Sequence, residues 1–292
     1  MPLAPGDTGQ VSAERPGPST RAGVCTLDGG TEVRRRDTLV TEEPLEVRVA
    51  AGGRSDRVSV TMRTPGHDFE LAVGFLHSEG LLPPGAPLQV SYCADVERPD
   101  QLYNVVTVEV DAPAPPDPAR VGLVSSACGV CGSASLDALR ERGLRPVESA
   151  TTVPVETLYA LPDALRSAQG LFTATGGLHA AGLFTPRGEL IAAREDVGRH
   201  NAVDKLVGRA LLDGRLPLSG AVLLVSGRAG YEIVQKAVAA GIPVVASVSA
   251  PSSLAVAVAE DFGVTLVGFL RGRRCNVYAG RDRILLGGAV PG

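Results

Sequence analysis

The sequence predicts an α/β protein, with a layered C-terminal α/β domain behind a smaller N-terminal α+β domain. Three observations carry this. The second half alternates short apolar runs, ending in Gly/Ser/Thr turns, with helical patterns, the βα signature of a largely parallel sheet. The first half instead sets strands of alternating polarity around one helical pattern. Between them, prolines at 113, 115, 116 and 118 can neither pair in a sheet nor continue a helix, which places the domain boundary at 118. A chain of 292 residues, 44% apolar and 21% charged, is long and apolar enough for two folded domains, and disorder of the whole is excluded.

Residues 1–24 are rich in Pro, Gly and Ser and are expected to form a mobile tail, leaving 25–118 and 119–292 as the two domains. Strict alternation predicts strands over 44–49 and 57–62, joined by a turn at Gly52-Gly53. Phe69, Val73, Leu76 and His77 fall at helical spacing, so 68–79 is expected to be a helix stopped by Gly80. Strands follow at 89–93 and 103–110. Past the boundary, 133–142 reads as a helix stopped by Gly143, and 171–175 as a strand running into Gly176-Gly177. A hairpin is expected from 181–184 and 189–193. Val203, Leu206, Val207, Ala210 and Leu211 share one face of a helix over 201–212. Buried strands at 221–225, 243–248 and 264–269 alternate with a helix at 231–240, closed by Gly241, and one at 254–259, capped by Ser252 or Ser253.

Composition narrows the function. A net charge of −4, no Trp and 4% aromatics argue against a nucleic-acid partner. No stretch approaches the ~18 uninterrupted apolar residues of a membrane span, and the first twenty residues contain no apolar signal core, so a cytoplasmic protein without a membrane partner is expected. Five cysteines in a chain of this size make a disulfide framework improbable, and the close pair Cys128 and Cys131 reads as catalytic or metal-binding.

In open α/β sheets, ligands collect where the strands end and helices begin. Four such places carry hydroxyls, free backbone N–H groups or guanidinium forks, which together suit a phosphate-bearing ligand. They are Thr175-Gly176-Gly177 with His179, Ser226-Gly227-Arg228, the Ser-rich turn ending in Ser252-Ser253, and the Arg271-Gly272-Arg273-Arg274 run. The sharpest local signal is Cys128-Gly129-Val130-Cys131-Gly132 just before a predicted helix. There the helix dipole and free N–H groups favour thiolate, and the glycines let a partner approach the sulfurs. Residues 195–205 form a dense polar run opening the 201–212 helix, which fits a solvated helix start as well as a site.

Several of these segments together resemble the FdhD family of sulfur carriers that serve formate dehydrogenase. The resemblance rests on Ser126-Ala-Cys-Gly-Val-Cys-Gly132, Thr175-Gly-Gly-Leu-His-Ala-Ala181, the run from Arg194 to Lys205, Ser226-Gly-Arg228, Ser249-Ala-Pro-Ser-Ser253 and Gly74-Phe-Leu-His-Ser-Glu-Gly80. It implies a C-terminal domain similar to the cytidine-deaminase fold and a homodimer. It also implies uptake of sulfur from a cysteine desulfurase as a persulfide on Cys128, with Cys131 assisting. The sulfur would pass to the molybdenum cofactor, as bis(molybdopterin guanine dinucleotide), before insertion into formate dehydrogenase. That cofactor would be cargo, with no metal of the protein's own, and Phe269, Leu270, Arg271, Gly272, Arg273 and Arg274 would help hold it.

Two other classes compete. A zinc-dependent deaminase needs H-x-E and P-C-x-x-C; His77-Ser78-Glu79 and Cys128-x-x-Cys131 approach this, but Ala127 stands at the proline position. A non-catalytic cofactor chaperone would keep the anion site and have no need of Cys128.

Overall fold

The computed structural model describes residues 15–83, 85, 88–93, 101–113 and 132–287. The chain opens with a two-stranded arm, β1 (Ser19–Asp28) and β2 (Thr31–Val40), paired in register across Gly29-Gly30. Both turn glycines have positive φ, the geometry a two-residue hairpin turn demands. The tail expected over 1–24 is therefore too long, since β1 begins inside it at Ser19; residues 1–14 lie outside the described residues.

The N-terminal sheet has the order β4-β3-β6-β5. It comprises β3 (Glu43–Ala51), β4 (Arg54–Arg63), β5 (Leu88–Tyr92) and β6 (Val105–Val110), with helix α1 (Asp68–Ser78) between β4 and β5. Leu45, Val47 and Val49 of β3 alternate inward and meet Leu71, Val73 and Leu76 of α1 in one core. These elements are the ones the alternation and the helical spacing predict, within three residues at their ends.

In the C-terminal part, α2 (Gly132–Glu141) leads through the short β7 (Val153–Pro154) to α3 (Val155–Ser167) and α4 (Gly170–Thr175). Then come β8 (His179–Phe184), β9 (Leu190–Asp196), α5 (Arg199–Leu212), β10 (Val222–Val225), α6 (Tyr231–Ala239), β11 (Val244–Ser247) and α7 (Ser253–Asp261). The chain closes with β12 (Thr265–Arg271), β13 (Arg274–Ala279) and β14 (Ile284–Leu285), the last beside β7. The main sheet runs β13-β12-β11-β10-β8-β9. It is less parallel than expected: only β10, β11 and β12 run together, because hairpins supply β8–β9 and β12–β13. Leu223, Val225, Val245 and Leu266 point to the face covered by α5, α6 and α7. Val222, Leu224, Val244 and Val267 point to the opposite face, under α3. The result is a layered α/β domain with two cores.

One predicted strand is a helix. Residues 171–175 belong to α4, where the Thr173 and Thr175 hydroxyls donate back to the carbonyls of Gln169 and Leu171. The Glu195 carboxylate caps the start of α4, accepting from the Leu171 N–H at 3.0 Å and the Phe172 N–H at 2.7 Å. A cap supplied from β9 thus overrides the β-propensity of a Thr-rich segment.

The two sheets are joined through α1 and α5. Arg194 forks onto the Glu70 carboxylate at 2.6 and 2.7 Å. Asp196, fully buried, takes the Lys205 ammonium at 2.6 Å and the N–H groups of Gly198 and Thr64. Lys236 reaches both oxygens of Asp204, which also accepts from Ser78. Burial alone would raise the Glu70 carboxyl, but the Arg194 fork and His67 more than offset it and bring it from 4.5 to about 2. A carboxyl depressed on folding stabilises the fold above its unfolded pKa, and that contribution is lost as pH falls from 4.5 towards 2. Urea midpoints of the wild type should therefore fall more steeply across this window than those of Glu70→Gln. Parallel curves would deny the pair its role.

Candidate functional site

Because β10, β11 and β12 are parallel, their carboxyl ends lie along one edge of the sheet. The antiparallel β8 starts at that same edge, so His179 stands beside the turn after Val225. The loops there are laced together. Ser226 exchanges hydrogen bonds with the Ala180 backbone, its hydroxyl accepting at 2.9 Å. The Ser247 hydroxyl sits 3.0 and 2.7 Å from the carbonyls of Gly227 and Ser249. The Phe269 N–H donates to Ser249 O, and Arg271 Nε to Val248 O. Sequence reasoning separated these loops by dozens of residues, and the fold brings them together.

Not every expected residue faces outward. Leu270 is fully buried in the core beneath α3, because β12 alternation turns it inward, so it cannot touch a ligand. Ser252 caps α7, its hydroxyl accepting from the Ala255 N–H at 3.2 Å, while Ser253 is exposed. The Thr175 hydroxyl is bonded inside α4, and Gly176 ends that helix at positive φ. Gly177 lies against Val40 of β2. Phe269 holds φ 52, a rare conformation for a bulky side chain, at a register shift between β12 and β13, and is exposed. The Arg271–Arg274 run is the β12–β13 turn, with Gly272 at positive φ.

Arg228, Arg273 and Arg274 are exposed, with no hydrogen-bond or ion-pair partner among the described residues; Arg273 lies 5.8 Å from the Tyr159 ring of α3. Arg199 joins them from the start of α5, its Nε buried without a partner and its side chain close to Gly227. Burial, then the Arg199 and His200 charges, hold His179 below its ordinary pKa, so its ring is neutral at neutral pH. His200 Nε2 meets Glu232 of α6 at 2.7 Å, and that hydrogen bond lowers the Glu232 carboxyl. Among the polar run at 195–205, Glu195, Asp196, Asp204 and Lys205 are structural. Arg199 and His200 stand at the site, a division of roles that sequence reasoning missed. Its one signal was an Arg-His pair directly after a strand end.

Between α3, α4 and these strand ends lies a cleft of about 660 Å³, whose walls include Gln169, Phe172, His179 and Ser226. That is room for a nucleotide-sized group. Cys128 and Cys131 lie outside the described residues; α2 begins at Gly132, directly after Cys131. Of the deaminase-like triplet, His77 Nε2 sits 3.0 Å from the Ala239 carbonyl, Ser78 bonds Asp204, and Glu79 pairs with Arg142 at 3.0 Å. All three tie α1 to its neighbours.

A family model described as FdhD/NarQ matches residues 40–285, from the end of β2 to β14. The chain belongs to this family. The FdhD/NarQ match takes in the whole strand-end edge and the Cys128–Cys131 pair. The chain is 54% identical over 278 residues to the sulfur carrier protein FdhD of Streptomyces coelicolor, covering 92% of this chain and 97% of that one. It is 51% identical over 271 residues to the protein of the same name from Mycobacterium tuberculosis, covering 89% and 96%. The fold is also that of a crystal structure from Desulfotalea psychrophila, assigned as a formate dehydrogenase accessory protein. The TM-score is 0.70 at 24% identity, with 91% of this chain and 99% of that chain covered. Among the described residues, no helix is long and apolar enough to cross a membrane.

Proposed function

We propose that this chain is a cytoplasmic, homodimeric sulfur carrier for formate dehydrogenase. Cys128 takes up sulfur from a cysteine desulfurase. Its thiolate attacks the outer sulfur of the donor persulfide, the donor S–S bond breaks, and the donor cysteine leaves as thiolate. The sulfur then leaves at the sulfide level: the thiolate of Cys131 attacks the inner sulfur of Cys128, the S–S bond to the outer sulfur breaks, and a Cys128–Cys131 disulfide remains for an external thiol to reduce. The acceptor is the molybdenum cofactor, carried as bis(molybdopterin guanine dinucleotide) on the strand-end edge before it enters the apoenzyme. The names of the relatives support the sulfur chemistry. The observation that supports the cargo is a set of guanidiniums without a protein partner on the loops of that edge, Arg228, Arg273 and Arg274, with the unpaired Nε of Arg199; the nucleotide-sized cleft is lined by residues of the same edge, His179 and Ser226 among them. Such forks suit pyrophosphate oxygens.

Two measurements test this. Intact-mass spectrometry after incubation with a desulfurase and cysteine should show an adduct of about 32 Da, one sulfur atom, on Cys128. GDP, as a fragment of the cargo, should bind and be weakened by added salt, since exposed phosphate contacts are screened. Charge-assisted hydrogen bonds are worth roughly 1.5–3 kcal/mol, and exposure takes these to the low end, so Arg228→Ala and Arg273→Ala should each weaken GDP about tenfold. A wild type without GDP affinity would remove the cargo site.

A further inference from the structure

The β1–β2 arm has neither a third strand nor a core of its own. Leu27 and Val33 near its tip are 77% and 55% exposed. A two-stranded hairpin with no packed face is at best marginally stable in water, so a neighbour that covers it would stabilise it. Beyond its partner strand, the backbone of 31–37 makes no backbone hydrogen bond among the described residues. The outer side of β2 therefore presents a free row of N–H and C=O groups, the template onto which another strand adds.

The register gives this edge a sign. Facing residues share a side of a sheet, and sides alternate along a strand. The pairings Arg21↔Thr38, Gly23↔Arg36 and Cys25↔Arg34 thus put Arg21, Arg34 and Arg36 on one face. All three are exposed. Arg21 and Arg36 have no partner among the described residues, and Arg34 has only Glu32 at 3.7 Å, with both side chains open to water. An ion pair so exposed holds little. Arg35, on the opposite face, is instead engaged by Thr26 and Asp37. Three guanidiniums on one face of a chain whose net charge is −4 fit an acidic partner. The arm also starts beside the cleft: Val40 of β2 lies against Gly177, which lines it. From Val40 to Arg34 the strand covers about 20 Å.

We propose that β2 is a docking edge for an extended acidic segment of the protein that receives the cargo. The segment adds as a strand along the free edge. Carboxylates at its alternate positions then stand beside Arg34 and Arg36 on one face. Main-chain bonds hold the segment, and the charges choose it. The acceptor is thereby held next to the cleft. This rests on the reading of the cleft as the cargo site and names the surface by which the recipient reaches it.

The test is binding of fluorescein-labelled peptides to the full chain, read by anisotropy. A peptide of alternating Thr and Glu, as long as β2, is expected to bind. Its Thr-Gln counterpart, and the same Thr-Glu peptide with its amides N-methylated, should each bind at least tenfold more weakly. The double variant Arg34→Glu, Arg36→Glu changes only exposed positions. It should lose the Thr-Glu peptide and bind purified apo-formate dehydrogenase at least tenfold more weakly, while keeping its GDP affinity and its sulfur adduct on Cys128. Equal affinity for the Thr-Glu and Thr-Gln peptides, or for the N-methylated peptide, overturns the proposal. Loss of the Cys128 adduct in the double variant gives the arm to the sulfur donor, and conversion of a wild-type dimer to a monomer gives it to a second copy; either overturns the acceptor. A wild type that binds GDP and loads sulfur but ignores the Thr-Glu peptide overturns the docking edge alone. One that binds the peptide and the apoenzyme but not GDP removes the cargo site and leaves the docking edge standing.

Discussion

Cells whose only copy of this protein carries Cys128→Ala are expected to make formate dehydrogenase without activity, while the purified variant keeps its fold and its affinity for GDP. Sulfur uptake needs a nucleophile that also becomes the carrier, and a methyl group can be neither. In the sequence the pair stands just ahead of α2, which begins at Gly132. The variant should show no sulfur adduct after incubation with a desulfurase, and Cys131→Ala should show a smaller loss. Active formate dehydrogenase in the Cys128→Ala strain would remove the persulfide role and leave a cofactor chaperone that holds cargo at the same edge.

The parts of this fold that repeat a simple period were legible in the sequence. β3, β4, α1, α5, α6 and α7 follow alternation or helical spacing, and their apolar faces are the buried ones. What was hidden depended on distant partners. α4 is a helix because Glu195 of β9 caps it. α3 has Val155, Leu158, Leu161 and Leu165 on its buried face but contains Pro162, which reads as a breaker. β13 was concealed by the arginines at its start. For the candidate site, the rule that ligands gather at strand ends put His179, Ser226, Arg228 and the β12–β13 turn on one edge of the sheet, where the fold has them. It could not show that Leu270 turns inward. Nor could it show that Gln169 lines the cleft or that His200 pairs with Glu232, since both depend on which helix packs beside which.

Gly208→Ala is expected to destabilise the protein severely, against the usual direction of that change in a helix. Alanine normally favours a helix over glycine by about 1 kcal/mol, so an open helical position would gain. Here α1 and α5 cross with Gly74 against Gly208. A Cβ on Gly208 would overlap the Glu70 carbonyl, and one on Gly74 would overlap the Asp204 carbonyl. Both obstacles are backbone, so no rotamer change relieves them, and the helices must move apart. Separation would also stretch Arg194 from Glu70 and Ser78 from Asp204, bonds that join the two sheets. Overpacking typically costs about 1–3 kcal/mol; a backbone clash that also stretches an ion pair and a buried hydrogen bond should exceed that. The first turn of α5 carries Arg199 and His200, so a shifted helix should weaken GDP binding too. Gly170→Ala is the control, since nothing lies within 4 Å of its Cβ position, and its urea midpoint should match or exceed the wild type. If Gly208→Ala unfolds at the wild-type urea concentration, the two helices do not approach at these glycines, and the polar bonds between the sheets would have to join them without that contact.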